Sequence, residues 1–260
     1  FPTRRSSDLT FGTLFKIEAK LSLRGMDMFI FAVCLPVVMV CILGMIYGGE
    51  PAFPGSSYSF LEQSFGALTT IAICAGGVMG LPLLVSDYRQ KKVLKRFQVT
   101  PVSPVMLLAV HVAIYAAYAL VSLILVYACA TLVFGCRMPG SPAVFLPCYF
   151  LVMLSMFSIG MMVGGIARDT KTAGIAASLL YFPMLLLSGA TLPYEILPDA
   201  LRRIADIMPL TQGIKLLKAA SLGLPLENVL LPVCILGILL LCCSVIAVKF
   251  FRWEAEANTP

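Results

Sequence analysis

The chain has 260 residues, of which 60% are hydrophobic and 12% are charged, and its formal net charge is +6. A soluble domain carries about 25% charged residues, so this composition excludes an ordinary water-soluble fold. Six charge-free stretches each reach the length of about 20 residues that a helix needs to cross a bilayer. They lie at 28–49, 63–86, 97–136, 138–167, 172–194 and 228–248. The sequence therefore predicts an all-α, polytopic membrane protein with six transmembrane helices.

The N-terminal segment divides into two parts. Residues 1–9, FPTRRSSDL, resemble the in-frame translation of a sequencing-adapter oligonucleotide. We expect them to be foreign to the protein and a single transmembrane domain to cover 10–255; the alternative is an ordinary basic N-terminus. Residues 10–27 then mix apolar and basic side chains at roughly helical spacing. This pattern predicts an amphipathic helix lying in the membrane interface, or simply the polar flank of the first span.

The spans are predicted at about 28–46, 63–85, 105–126 (or on to 134), 143–166, 172–187 and 229–248. Lys and Arg concentrate before the first span, between spans two and three, between spans four and five, and after span six. Because cytoplasmic loops carry the excess of Lys and Arg, we expect a multi-pass protein with both termini in the cytoplasm. The segment 188–227 also carries basic residues, but long loops follow this rule weakly.

The spans contain almost no ionisable group. Glu62 lies at the mouth of the second span, and His111, which we interpret as a polar contact between helices rather than a relay, lies in the third. Ion-coupled transporters and membrane enzymes need such groups at membrane depth, so neither class is favoured and no catalytic residue is assigned. With one His and no CxxC pair, the nine cysteines predict no metal or cofactor site; we interpret them as free thiols in the apolar core.

A basic loop, SDYRQKKVLKRFQVTPVSP at 86–104, joins the second and third spans. A helix over about 87–98 would carry on one face Gln90, Val93, Leu94 and Phe97. Arg89 and other basic residues would cover the remaining surface, and Thr100-Pro101 would end the helix. The apolar stripe needs a partner. That partner is either a protein groove or lipid headgroups whose anionic charge attracts the basic residues.

A long segment at 188–227 separates the fifth and sixth spans. Pro193 and Pro198 interrupt any helix there, and two apolar stripes follow, at 201–208 and 214–221. The pattern predicts an extracytoplasmic hairpin of two short helices half-immersed in the outer leaflet; the alternative is an ordinary surface hairpin. Small residues recur at helical spacing in two spans, as Gly76-x-x-x-Gly80 and Gly160-x-x-x-Gly164. Such pairs allow close helix approach, either within the chain or in a dimer face.

Two stretches carry a family resemblance. KVLKRFQVTPVSP resembles the segment between the second and third spans of type-2 ATP-binding-cassette (ABC) exporter permeases, with matches at Leu94, Thr100, Pro101, Val102 and Ser103. It departs at Gln90, where an acid is usual, and at Lys92, where Gly is usual. The second stretch resembles that family's extracytoplasmic hairpin, with matches at Ser188, Gly189, Pro193, Leu197, Pro198, Pro209 and Leu210. The resemblance covers nearly all of residues 10–255.

The resemblance implies a transmembrane subunit of an ATP-driven exporter in the bacterial inner membrane, with one permease domain and a second permease subunit, identical or different. It implies that the basic loop is a cytoplasmic coupling helix contacting an ATPase through Gln90, Val93, Leu94, Phe97, Thr100 and Pro101. The chain has no G-x-x-x-x-G-K-[ST] loop, so ATP and Mg²⁺ would bind a partner ATPase or an ATPase domain fused upstream.

An apolar pathway suits an amphipathic or lipid-like substrate. Membrane lipids are the other expected partners, and no nucleic acid is expected. The rival hypothesis is an ATP-independent secondary transporter or membrane assembly factor.

Overall fold

The computed structural model describes residues 4–47, 50–52, 58–93, 104–190, 198–224 and 229–251. Within these ranges the chain is helical apart from turns and one isolated bridge between Pro51 and Ser59. Six of the described helices are long and apolar enough to cross a membrane. These spans 1 to 6 are Ile30–Tyr47, Phe60–Gln90, Val105–Val133, Pro142–Ile166, Thr170–Leu187 and Leu230–Lys249. The prediction of an all-α protein with six spans is therefore confirmed.

The N-terminal helix, Arg4–Gly25, is separate from span 1. Met26 has a φ of 57°, a left-handed conformation that a continuous helix does not contain, and a short turn of helix at Asp27–Phe29 follows. The helix packs against span 3. It begins inside the segment expected to be foreign, so the domain boundary at residue 10 and the interfacial position of this helix stay predictions.

The bundle has two distinct ends. One, which we call the basic end, contains the N-terminal helix, the last turns of spans 2, 4 and 6, and the turn between spans 4 and 5. The other, the hairpin end, contains hairpin helix 1 (Asp199–Ile207) and hairpin helix 2 (Pro209–Leu222). Which end faces the cytoplasm stays a prediction from the Lys and Arg distribution.

Span 2 is the central helix of the bundle. In its most apolar window 83% of the residues are buried, against 28% in span 1 and 22% in span 6. It packs against spans 1, 3, 4 and 5 and against hairpin helix 2. Its middle segment, Ala75–Gly80, is π-helical. At 31 residues it is longer than the predicted 63–85 and longer than the roughly 20 residues a bilayer requires.

The four glycines of the two small-residue pairs lie inside this chain's own bundle. A Cβ on Gly160 would overlap the carbonyl oxygen of Gly77, and a Cβ on Gly164 would lie 2.9 Å from the Cα of Pro82. Both positions bring span 4 close to span 2. Gly76 and Gly80 face span 3, where their added Cβ atoms would lie 3.4 Å and 3.1 Å from Tyr115.

The hairpin differs from the prediction in how deeply it is buried. Hairpin helix 2 packs against spans 2, 4, 5 and 6, with Leu210, Leu216 and Leu217 fully buried. Its small polar residues, Thr211 and Ser221 among them, are buried as well, so both faces of this helix contact protein. The order of polar and apolar residues in the sequence does not show that the polar residues of this helix are buried in the protein. Hairpin helix 1 does keep an exposed apolar face, formed by Leu201, Ile204 and Ile207.

The assignment of the cysteines to the apolar core is wrong for part of the set. Cys74, Cys136 and Cys243 are buried, but Cys34, Cys234 and Cys242 are exposed. The reason is that lipid-facing positions are as apolar as core positions, so an apolar run does not distinguish them.

Candidate functional site at the basic end of the bundle

Three consecutive residues at the end of span 2, Tyr88, Arg89 and Gln90, contact three different sets of neighbours. Successive side chains on an α-helix point about 100° apart, since 3.6 residues complete a turn. Three in a row therefore span about 200°, a little over half of the helix circumference. We call them the Tyr88–Gln90 cluster. They lie in the first part of the basic loop, 86–104, that the sequence singled out.

Tyr88 connects the N-terminal helix to span 3. Its hydroxyl donates a hydrogen bond of 3.2 Å to Oε2 of Glu18 and lies 3.1 Å from Nε2 of His111. His111 Nε2 is 3.5 Å from the same Glu18 oxygen, and its Nδ1 is 3.0 Å from the carbonyl oxygen of Leu107. The interpretation of His111 as a polar contact between helices is confirmed.

The carboxylate of Glu18 is stabilised by this contact. Only 13% of the Glu18 side chain and 4% of the His111 side chain are exposed. The hydrogen bond to His111 holds the pKa of Glu18 below its ordinary value of 4.5, although partial burial acts in the opposite direction. The N-terminal helix is thus attached to the bundle through an ionised side chain.

Arg89 reaches span 4 and the segment after span 6, and it is only 2% exposed. Its Nη1 donates to the carbonyl oxygen of Ala167, and its Nη2 donates to those of Gly164 at 2.7 Å and Gly165 at 3.1 Å. Carbonyls in the last turn of a helix have no partner within that helix, and a cation there is favoured by the helix dipole. The guanidinium carbon also lies 5.7 Å from the ring centre of Phe251.

Gln90 contacts the start of span 5. Its Oε1 accepts hydrogen bonds from the Thr170 hydroxyl at 2.7 Å and from the Thr170 backbone N–H at 3.3 Å. The preceding residue, Asp169, caps the same helix by accepting from the Thr172 N–H at 2.6 Å. That backbone hydrogen bond is the main cause of the lowered pKa of Asp169. Gln90 and Asp169 together hold the first turn of span 5.

The helix predicted over 87–98 is interrupted. Span 2 ends at Gln90, and Lys91 and Lys92 form a turn in which Lys92 has a φ of 56°. A left-handed residue breaks the run of helical dihedrals, so Gln90 and Val93 are not on one face of a single helix. Val93 is half-buried and packs on the small apolar cluster of Val85, Leu107 and Leu108.

Arg89 was wrongly assigned to the basic outer surface of that helix. The spacing of Pro82, Val85 and Arg89, three and then four residues apart, places all three on one face of span 2. That face is the one that Gly164 of span 4 approaches. Sequence reasoning had no comparable signal for Thr170, which lies 80 residues after Gln90.

The other predicted site residues are placed as follows. Leu94, Phe97, Thr100, Pro101 and Pro193 lie outside the described residues. At the hairpin end, Gly189 has a φ of 91° and lines a cavity of about 270 Å³ between span 2, span 5 and hairpin helix 2. Pro198 precedes hairpin helix 1, and Pro209 is the first residue of hairpin helix 2. Among the described residues, Gln90 and Val93 thus lie at the opposite end of the bundle from Gly189, Pro198 and Pro209.

Comparison with known proteins identifies the family. The chain matches the ABC-2 type transporter family over residues 10–222. It is 37% identical over 93 residues to Nodulation protein J of Rhizobium leguminosarum bv. viciae, covering 36% of each chain. Nodulation protein J of Neorhizobium galegae is 35% identical over 105 residues, 40% of this chain and 38% of that protein.

A third relative is the Inner membrane transport permease YhhJ of Escherichia coli, 32% identical over 87 residues, which are 34% of this chain and 23% of that protein. The matched stretches thus span less than two fifths of these curated relatives. The family match, in contrast, extends from the N-terminal helix through hairpin helix 2. The chain therefore belongs to the ABC-2 type transporter family.

Proposed function

We propose that this chain is the transmembrane subunit of an ATP-driven exporter, with the Tyr88–Gln90 cluster at its coupling site. The observation that carries the proposal is the position of this cluster. It ends the central span and lies in the first part of the basic loop at 86–104. A partner that binds the loop would act on span 2 and, through the cluster, on its neighbours.

The partner that supplies energy is a separate ATPase subunit that binds ATP and Mg²⁺. The match to the ABC-2 type transporter family supports this part of the proposal. A second permease subunit completes the pathway, and the apolar spans suit an amphipathic or lipid-like substrate. The chain itself carries no catalytic residue in this proposal.

The proposed location is the inner membrane of a bacterium, with the basic end and both termini in the cytoplasm. The Lys and Arg distribution supports the orientation. The printed name of the Escherichia coli relative, an inner membrane transport permease, supports the location.

One observation favours the rival class of ATP-independent transporters. Glu18 and His111 form a buried, titratable pair of the kind that proton-coupled transporters use. However, Glu18 belongs to the N-terminal helix rather than to a span, and the pair lies at one end of the bundle. This position fits an attachment between elements better than a step in a proton path.

The test is co-purification of the tagged chain from its native source in mild detergent, followed by identification of the partners. We expect an ABC ATPase, and we expect ATP hydrolysis by the complex to disappear when the Walker lysine of that ATPase is replaced. A gene for such an ATPase beside this one would agree. Recovery of the chain without any ATPase, under conditions that preserve other membrane complexes, would refute the proposal.

A further inference from the structure

We infer that Arg89 is a positioning residue through which movement of the end of span 2 is transmitted to spans 4 and 5. The inference rests on the proposed function and adds a specific route to it. The route consists of three contacts made by adjacent residues: Tyr88 to the N-terminal helix and span 3, Arg89 to span 4, and Gln90 to span 5.

The first argument is that the end of span 2 moves as one piece. Leu81–Gln90 is an uninterrupted α-helix. It is bounded on one side by the glycine-rich π-helical segment Ala75–Gly80 and on the other by the left-handed residue Lys92. π-helical segments and left-handed residues are departures from regular α-helix that mark natural boundaries for a rigid element. A displacement applied at Gln90 therefore moves Tyr88 and Arg89 with it.

The second argument concerns the strength and geometry of the Arg89 contact. A guanidinium group has several donors in a fixed plane, and here they bind the carbonyls of Gly164, Gly165 and Ala167. Hydrogen bonds from an ionised donor are about twice as strong as neutral ones, and the buried charge has no access to water that would replace them. Arg89 and the last turn of span 4 must therefore move together.

The third argument is that the sequence of span 4 permits this contact. A side chain on Gly164 would meet Pro82 and Val85 of span 2, and a side chain on Gly165 would lie 2.9 Å from the ring of Phe251. The two glycines thus let span 2 and Phe251 approach the carbonyls that Arg89 binds. Directly after this turn, Gln90 holds Thr170 at the start of span 5. The turn between spans 4 and 5 is consequently fixed from both sides.

The test uses the full chain in complex with its co-purified ATPase. Hydrogen–deuterium exchange is followed by mass spectrometry, with and without trapping by ATP and orthovanadate. Four proteins are compared: the unsubstituted chain, Arg89→Lys, Arg89→Met and Lys91→Met. Lys91 is a matched control because it lies in the same segment, its side chain is 69% exposed, and its ion-pair partner among the described residues is Asp87 in the same helical turn. Arg89→Lys keeps the charge but loses the planar set of donors.

In the unsubstituted chain and in Lys91→Met, we expect trapping to change exchange both in peptides around 88–93 and in peptides covering 164–175. In both Arg89 variants we expect the change at 88–93 to remain and the change at 164–175 to fall by about tenfold. A merely structural role would alter both regions or neither. If Arg89→Met retains the full response at 164–175, the inference is wrong.

Two further outcomes are decisive. If Arg89→Met does not accumulate in the membrane, the same exchange experiment on Arg89→Lys and Gln90→Ala tests the inference instead. Gln90 is exposed, and within the described part of the chain its replacement removes the contact with Thr170. It should therefore reduce the response at 170–175 and leave 104–115 unchanged. A normal response at 170–175 in Gln90→Ala, together with a normal response in Arg89→Lys, overturns the inference. If trapping changes nothing at 88–93 even in the unsubstituted chain, the proposed function fails and this inference falls with it.

Discussion

Gly160 of span 4 and Gly77 of span 2 pack backbone against backbone, so closely that a Cβ atom on Gly160 would overlap the carbonyl oxygen of Gly77. One turn further along span 4, Gly164 makes the same kind of approach to Pro82. The two contacts align span 4 along the central helix. They also bring the last turn of span 4 beside Arg89 of span 2, which donates hydrogen bonds to the backbone carbonyls of that turn.

The first prediction concerns this contact. Gly160→Ala should destabilise the bundle by about 1–3 kcal/mol, because the added methyl group forces the two backbones apart. Gly237→Ala in span 6 is the control, since its Cβ would meet nothing within 4 Å. In a helix an alanine is favoured over glycine by about 1 kcal/mol, so the control should be neutral or slightly stabilised. Thermal unfolding of both variants in the same detergent measures the difference. Equal melting temperatures would contradict the packing.

The second prediction is a pH dependence of the N-terminal helix. Because the pKa of Glu18 is lowered in the folded chain, its contribution to stability is fully present above 4.5. It is lost as the pH falls through the lower value of the folded state. We expect hydrogen exchange in residues 11–25, corrected for the intrinsic pH effect, to rise below this pH. Glu18→Gln should show fast exchange at every pH.

Lys20→Gln is the matched control for Glu18. It removes a charge from the exposed side of the same helix and should keep the pH step. His111→Gln should behave like Glu18→Gln, because His111 is the main cause of the lowered pKa. A pH step that persists in Glu18→Gln would show that another group is responsible.

The third prediction concerns the adjacency of spans 1 and 3. The sulphur atoms of Cys41 and Cys129 lie 3.6 Å apart. A disulfide needs an S–S distance of about 2.05 Å, so the two sulphur atoms must approach each other further before they bond. Oxidation of membranes with copper–phenanthroline should therefore link the two residues within one chain, detected by mass spectrometry of the digest. Cys129→Ser should remove the linked peptide. A product linking Cys41 of two chains would instead place span 1 at an interface.

The fourth prediction concerns the basic loop. Leu94→Asp combined with Phe97→Asp should abolish association with the ATPase and leave membrane insertion intact. We expect both side chains to be buried in a groove of the ATPase, and burial of each Leu or Phe favours association by roughly 1.5–3 kcal/mol. Burial of a carboxylate costs several kcal/mol more. Lys92→Gln is the control, because an exposed charge contributes only about 0–1 kcal/mol. A pull-down that still retains the ATPase with the double variant would indicate that this segment binds lipid instead.

The fifth prediction fixes the orientation. A cysteine introduced as Lys92→Cys should be protected from a membrane-impermeant maleimide in intact cells and become labelled after permeabilisation. Arg137→Cys, at the opposite end of the bundle, should be labelled in intact cells. The expectation follows from the concentration of Lys and Arg at the basic end. Labelling of residue 92 in intact cells would reverse the proposed topology.

The number, type and approximate ends of the spans were determined by the sequence alone. Span 4 was expected at 143–166 and is Pro142–Ile166, and span 6 was expected at 229–248 and is Leu230–Lys249. The physical reason is that the thickness of the bilayer sets how many consecutive apolar residues a spanning helix needs. The length of an apolar run can be counted from the sequence without knowledge of the fold.

Only the tertiary structure decided which faces are buried and which polar groups meet. Lipid and protein core are equally apolar, so hydropathy could not show that hairpin helix 2 enters the bundle or that Cys34 and Cys234 face outward. Arg89 was assigned to a basic surface because its charge suggested exposure. Its burial depends on carbonyls at 164–167, about 75 residues later in the chain, that no local pattern connects to it.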